Sequence, residues 1–300
     1  MHISEINIYP IKSLKGISLD SSAVEKRGLR YDRRWMLTDP DGMFFTQREV
    51  PRMATVSVEL GSGGLDVSAA GFGTLHVPFE PDRGERQRVT VWQSTVDSEV
   101  YVGEISEWFS DVLSKRCQIV RMPETTERHV SQAFDRGRDI VSFADGYPLL
   151  LIGEASLDDL NRRISEAAEA ADARDPDDPE REVPKPLPMN RFRPNVVIKG
   201  TNPFEEDGWA EIRIGEAGFR VAKPCARCPI PTIDQATGEF DGKEPLKTLA
   251  TFRTAKHVHP NRFQDFGHTA NSVLFGENLI PESDLAMIAV GDEVRVTGRR

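Results

Sequence analysis

Cysteine is scarce in this chain: there are three in 300 residues, at positions 117, 225 and 228. That number excludes the disulfide framework that staples small secreted domains and favours a reducing compartment. Long apolar runs are missing too. No stretch approaches the about 18 residues that a membrane-spanning helix needs, and the N-terminus MHISEINIYP has neither the basic start nor the apolar centre of a secretory signal. Nor is positive charge in surplus. The 38 Lys and Arg stand against 48 Asp and Glu, a net −10, which argues against nucleic acid as a partner. The expectation is a soluble, cytoplasmic protein that makes no use of a membrane. Its length is that of one large or two ordinary domains, enough to bury a sizeable core.

What is there reads mainly as β-structure. Ile6 and Ile8 alternate with polar neighbours until Pro10, and Lys12-Ser13-Leu14-Lys15-Gly16 follows as a basic loop. Arg34–Thr38 alternates next, and Asp39-Pro40-Asp41-Gly42 predicts a hairpin into Met43–Thr46. Alternation returns at Val56–Leu60, Leu65–Ala69, Leu75–Val77 and Val89–Val91. Short strands with frequent turns predict a barrel or a strongly coiled sheet. The period changes at 104–114, where Ile105, Trp108, Phe109, Val112 and Leu113 form one helical stripe, so both aromatics are read as core.

The second half mixes strands with a few helices. Strands are expected at Cys117–Met122, Val196–Ile198, Trp209–Ile214, Phe219–Ala222 and Glu293–Thr297, and Leu149–Ile152 is an apolar run. Ser156-Leu157-Asp158-Asp159 has the S-x-x-D form of a helix start, for a helix expected to end before Asp172. A short helix is expected around Leu246, Leu249 and Phe252. Residues 172–190 are rich in Asp, Glu and Pro and read as a flexible acidic surface insertion.

The chemistry concentrates at Lys223-Pro224-Cys225-Ala226-Arg227-Cys228-Pro229, where a C-x-x-C pair sits among cations. Cationic neighbours favour the thiolate, the form that binds metal or attacks an electrophile. Zinc would need four ligands, and only His257 and His259, in a poorly suited H-x-H spacing, could join the two sulfurs. A thioredoxin-like pair would open a helix, which Pro229 and Pro231 oppose. Packed, inert cysteines are the remaining reading. Lys12, Arg33 and Arg193 stand at loop or strand ends where the fold does not require a cation, and a guanidinium suits bidentate binding of phosphate. An acidic protein that gathers these cations around a thiolate can hold an anionic, metal-bearing group.

In order along the chain, YPIKSLKG, YDRRW, FADGYPLLLI, RFRPN, KPCARC with Asp234 beyond it, EPLKTLATFR and FGENL resemble the MOSC proteins, named for the C-terminal domain of molybdenum cofactor sulfurase. Within them the chain is most similar to the bacterial YcbX-type proteins and the mitochondrial amidoxime-reducing components. The resemblance runs from residue 3 to about residue 297. It implies an N-terminal β-barrel domain over 1–120 and a MOSC domain over 121–300, itself a β-barrel with accessory helices.

The resemblance also implies a molybdenum atom chelated by a phosphorylated pyranopterin. Cys228 would ligate the metal and serve as the catalytic residue, with Cys225 a neighbour. Lys12, Ser13, Arg33, Arg193 and Arg227 would hold the pterin and its phosphate, with Asn195, Asp145 and Gly146 also lining the pocket. The implied activity is reduction of small N-hydroxylated substrates such as amidoximes, hydroxylamines and N-hydroxylated bases; a non-enzymatic cofactor carrier or sulfur relay is the alternative. YcbX-type proteins usually continue into an iron–sulfur domain, whereas no cysteine follows Cys228 here. The expectation is therefore no iron–sulfur cluster in this chain and electrons from a separate protein, a ferredoxin or flavin reductase. Asp234 is weighed both as a proton carrier and as a structural turn residue.

Overall fold

A computed structural model describes residues 1–82, 84–172, 185–282 and 285–300. Its centre is an eight-stranded sheet in the order Ile17–Leu19, His2–Ile8, Val196–Lys199, Leu149–Gly153, Leu274–Pro281, Ala217–Ala226, Trp209–Ile214 and Val294–Arg299. The sheet curls until the start of its last strand meets the start of His2–Ile8, the second in that order: Val294 N–H donates to Met1 O at 3.1 Å and Ile3 N–H to Asp292 O at 3.0 Å. The core inside the curl is built from Ile3, Ile6, Ile8, Leu151, Val196, Ile198, Trp209 and Phe219. Ile3 and Ile6 break strict alternation yet both face inward, because a register shift between Ile3 and Glu5 resets the pleat.

One parallel pair interrupts the antiparallel pattern. Leu149–Gly153 runs alongside Val196–Lys199, and the crossover between them carries the helix Glu154–Asp172. Gly276 lets the neighbouring strand approach closely: its φ is +79°, and a Cβ there would lie 2.8 Å from Leu151 O.

The N-terminal half contributes a second core. Trp35–Thr38, Gln118–Arg121, Ser94–Tyr101 and Glu85–Val91 form a four-stranded sheet, and Ser57–Gly61, Gly64–Ala69 and Gly73–Pro78 a three-stranded one. The helix Glu104–Leu113 buries Phe109, Val112 and Leu113 into this core, with Trp108 partly buried edge-on to Phe109. Each such side chain taken from water contributes about 1.5–3 kcal/mol. The fold is thus mostly strands with few helices, as the alternation implies. Among the described residues no helix is long and apolar enough to cross a membrane.

Several local expectations are corrected. Beyond the Asp39–Gly42 turn there is no hairpin strand: Phe44 makes an isolated bridge to Thr38, and the Phe44 amide turns to Thr90 O instead. Ser156 caps nothing. The helix begins at Glu154, and the Ser156 hydroxyl lies within it, donating to buried Glu206 at 2.7 Å and accepting from Phe204 N–H. That helix runs through Asp172. The strand at Phe219 is longer than its apolar stretch and carries Cys225 inside it. Most of the acidic segment 172–190 lies outside the described residues; at its end Leu187 is buried and Met189–Arg191 forms a 3-10 turn.

Candidate functional site

Four loop segments and one strand end converge on a single cleft. The first loop follows Ile8 and is stitched to the segment before Trp35: Lys12 N–H donates to Trp35 O at 2.8 Å and Arg33 N–H to Tyr9 O at 3.0 Å. The RFRPN segment enters beside them, its Asn195 side chain accepting from Leu150 N–H and donating to Asn7 O. The strand Ala217–Ala226 arrives from the other side. Its pairing shifts register between Pro224 and Ala226, a bulge at Cys225 that redirects the chain toward Cys228. Pro229 and Pro231 hold the following residues in a 3-10 turn rather than a helix, as their ring geometry requires.

Lys12, Ser13, Arg33, Asp145, Gly146, Arg193, Asn195, Arg227 and Cys228 all line this cleft, together with Cys225. Ser13, Arg33 and Arg193 have φ of +69°, +48° and +56°. Non-glycine residues adopt such angles at a cost of about 1–3 kcal/mol each, and such strain concentrates at binding sites.

The charges are arranged unevenly. Lys12 is buried and donates to Asp145 Oδ1 at 2.5 Å and to Phe143 O at 2.8 Å. Burial lowers its pKa, while Asp145 works the other way. For Asp145, burial favours the neutral form, but Lys12, Arg48 and the Trp92 indole N–H outweigh it and hold the carboxyl well below the usual range. Arg33 is neutralised by buried Asp32, reaching both carboxylate oxygens at 2.8 and 2.7 Å.

Arg193 and Arg227 have no carboxylate partner among the described residues. Arg193 donates to Leu14 O at 2.6 Å and to Gln235 Oε1 at 3.3 Å, and lies with Arg33 over the Tyr9 ring, each 4.2 Å from its centroid. Burial brings its guanidinium down to about 10. Arg227 donates to Phe192 O at 2.9 Å and to Cys225 Sγ at 3.2 Å, while its Nε is buried without a partner. Burial raises the Cys225 thiol pKa, and Arg227 opposes without reversing it. The thiolate expected from cationic neighbours is therefore not favoured at Cys225.

The remaining candidates lie elsewhere. Asp234 ends the short strand Ile233–Asp234 and caps the turn after it, accepting from Ala236 and Thr237 N–H and pairing with Arg191 at 3.1 Å. His257 bonds Thr254, and His259 packs on Phe266. Among the described residues no group of three or more His, Cys, Asp or Glu is gathered to hold a metal, so the zinc reading has no ligand set there.

Sequence reasoning missed several supports. Tyr9 lies under both guanidiniums, its pKa pushed up to about 12 by burial. Arg128 ties down the Asp145 loop through the carbonyls of Ser142, Ala144 and Asp145. Gln47 and Gln235 pair their amides and connect Ser13 O to Arg193. Asn278 lines the cleft. Tyr9, as the first residue of YPIKSLKG, and Asn278, as part of FGENL, carried a signal; a buried arginine or glutamine in a polar segment looks like surface.

Comparison with known proteins gives the same frame. Residues 1–116 match the MOSC N-terminal beta barrel domain and residues 138–295 the MOSC domain. The mitochondrial amidoxime-reducing component 1 of Mus musculus is 31% identical over 99% of this chain and 82% of its own length. The human protein of that name is 29% identical over 99% of this chain and 83% of its own. The molybdenum cofactor sulfurase of Oryza sativa is 31% identical over 85% of this chain, which spans only 31% of that protein. The setting is one of molybdenum cofactor-related function.

Proposed function

Because this chain belongs to the MOSC-domain family, we propose that it is a molybdenum cofactor-dependent oxidoreductase that reduces small N-hydroxylated compounds with electrons from a separate redox protein. The observation that carries the reading is the meeting of Arg193, Arg227 and Cys228 in one cleft, with neither guanidinium paired to a carboxylate among the described residues. Partly buried cations without a counter-charge are costly, so an anion is wanted there. A thiol beside them supplies a soft ligand. The residues fit a phosphorylated, metal-bearing group.

In this reading Arg193 and Arg227 take the phosphate and pterin edges, Arg33 and Asn195 fix the wall between them, and Cys228 ligates the metal. The bound cofactor would supply a two-electron centre able to accept oxygen from an N–O bond. Reduction of R–NHOH to R–NH2 and water consumes two electrons and two protons. Asp145, held ionised, is not the proton donor at neutral pH; it orients Lys12 and the Trp92 indole. Tyr9, by contrast, keeps its proton, its phenol held up by burial.

The test is reduction of benzamidoxime by the cofactor-loaded protein with a reduced viologen as artificial donor. Turnover is expected for the wild type and none for Cys228→Ser; equal turnover in the two would defeat the assignment. The similarity to the rice sulfurase favours a second reading, a cofactor carrier or sulfur relay. It predicts tight cofactor binding with release to an acceptor apoenzyme and no benzamidine.

A further inference from the structure

The segment Tyr31–Trp35 serves two cavities. Arg33 faces the cleft described above, while Tyr31, Arg34 and Trp35 line a second cavity of about 740 Å³. Its size falls within the roughly 300–1,000 Å³ of small-molecule sites. One wall is aromatic: Tyr31 stacks on Phe79 with centroids 4.8 Å apart and planes 10° from parallel, and Trp35 packs against both. Tyr31 is held at φ +67°, a strained angle for an aromatic residue.

The opposite side gathers arginines among carboxylates, with Glu25, Glu80 and Glu127 at its edge besides Glu124. The side chains of Arg27, Arg34 and Arg121 are 6%, 9% and 12% exposed and converge on the carboxylate of Glu124, which is itself 69% exposed. Arg34 donates to Glu124 Oε1, Arg27 to Oε2 at 3.3 Å, and Arg121 stands 3.9 Å from Oε1. Arg121 has Glu99 and Glu80 besides, and Arg27 is braced by the carbonyls of Pro123, Glu124 and Thr126. Among the described residues, Glu124 is the one carboxylate in ion-pair range of both Arg27 and Arg34.

The asymmetry points to a ligand. Nearly buried guanidiniums need an anion, but a carboxylate two-thirds in water holds them weakly and can be displaced. A phosphate offers more charge and a geometry that two guanidinium forks match. An aromatic ring attached to it would lie against the Tyr31–Phe79 wall. We propose that this cavity is a second binding site, for a small planar aromatic phosphate, with Glu124 as the displaceable anion that occupies the arginines when the site is empty. The site does not depend on what fills the first cleft.

The test is calorimetric titration of the full chain with phenyl phosphate, with inorganic phosphate and benzyl alcohol as part-ligands. Saturable one-to-one binding is expected for phenyl phosphate, weaker for inorganic phosphate and absent for benzyl alcohol. Glu124→Gln, an exposed and nearly isosteric change, should tighten binding by at least about threefold, the worth of a partly exposed ion pair. Arg34→Gln should abolish it, with circular dichroism to verify folding, and Arg193→Gln should leave it unchanged. No binding to either the wild type or Glu124→Gln would overturn the proposal. So would binding lost in Arg193→Gln and kept in Arg34→Gln, which would place the ligand in the first cleft.

Discussion

Arg33 donates to Asn195 Oδ1 at 2.9 Å across 162 positions of chain. That contact joins the segment matched by the N-terminal barrel family to the segment matched by the MOSC family at the wall of the candidate site. It is possible because the first strand, His2–Ile8, pairs with Val196–Lys199 inside one sheet. Neither half forms the cleft alone.

The join depends on Asp32. Its carboxylate is fully buried, binds Arg33 through both oxygens and accepts Tyr9 N–H at 2.8 Å. Asp32→Asn leaves Arg33 largely buried without its counter-charge, a change that costs about 3–5 kcal/mol. The urea unfolding midpoint should fall accordingly; an unchanged midpoint would mean that Arg33 is compensated from elsewhere.

Arg193 tests the anion reading. Its guanidinium bridges Leu14 O and Gln235 while lying over Tyr9, a role that needs a planar fork. Arg193→Lys keeps the charge and loses the geometry, so cofactor retention should drop about tenfold or more, the worth of one charge-assisted hydrogen bond. Molybdenum per chain after gel filtration is the readout, and full retention would remove Arg193 from the phosphate site.

That Cys228, Arg193 and Lys12 share a cleft was legible only through the resemblance of their motifs to a family, because spacing inside a short motif cannot show that segments far apart in the chain meet. Strand alternation located most of the sheet. The misses have physical causes. The strand Ser94–Tyr101 has only Val96, Val100 and Tyr101 as apolar residues, too few to display a period, and Leu274–Pro281 is buried on both faces and lacks one. Ser156 resembled a cap because an S-x-x-D pattern cannot reveal that Glu206, fifty residues away, takes the hydroxyl. The supports of Arg193, namely Tyr9, Gln47 and Gln235, meet only through tertiary contacts.

Glu277 gives a pH signature independent of any cofactor. Fully buried, it accepts from Arg300 at 3.0 Å, and burial raises its pKa well above the ordinary value in spite of that arginine. The folded state therefore binds more protons than the unfolded chain once the pH exceeds the unfolded pKa of about 4.3, and stability falls as the pH rises through that window. Glu277→Gln removes this slope, so the difference in unfolding free energy between wild type and variant should shift in favour of the variant from about pH 4.5 upward. Parallel pH profiles would contradict it.

The central claim is that Cys228, and not Cys225, ligates molybdenum in this cleft. Cys225 makes a long contact to Ala226 O at 3.8 Å and receives Arg227 at 3.2 Å, so its sulfur already has a cationic partner within the protein. The most direct measurement is elemental analysis for molybdenum, with fluorescence of the oxidised pterin, on wild type, Cys225→Ser and Cys228→Ser produced in a host that makes the cofactor. The account predicts near-stoichiometric metal and pterin in the wild type and Cys225→Ser, and metal lost or spectroscopically altered in Cys228→Ser. Wild-type protein with neither molybdenum nor pterin, or a Cys228→Ser variant indistinguishable from it, would contradict the assignment.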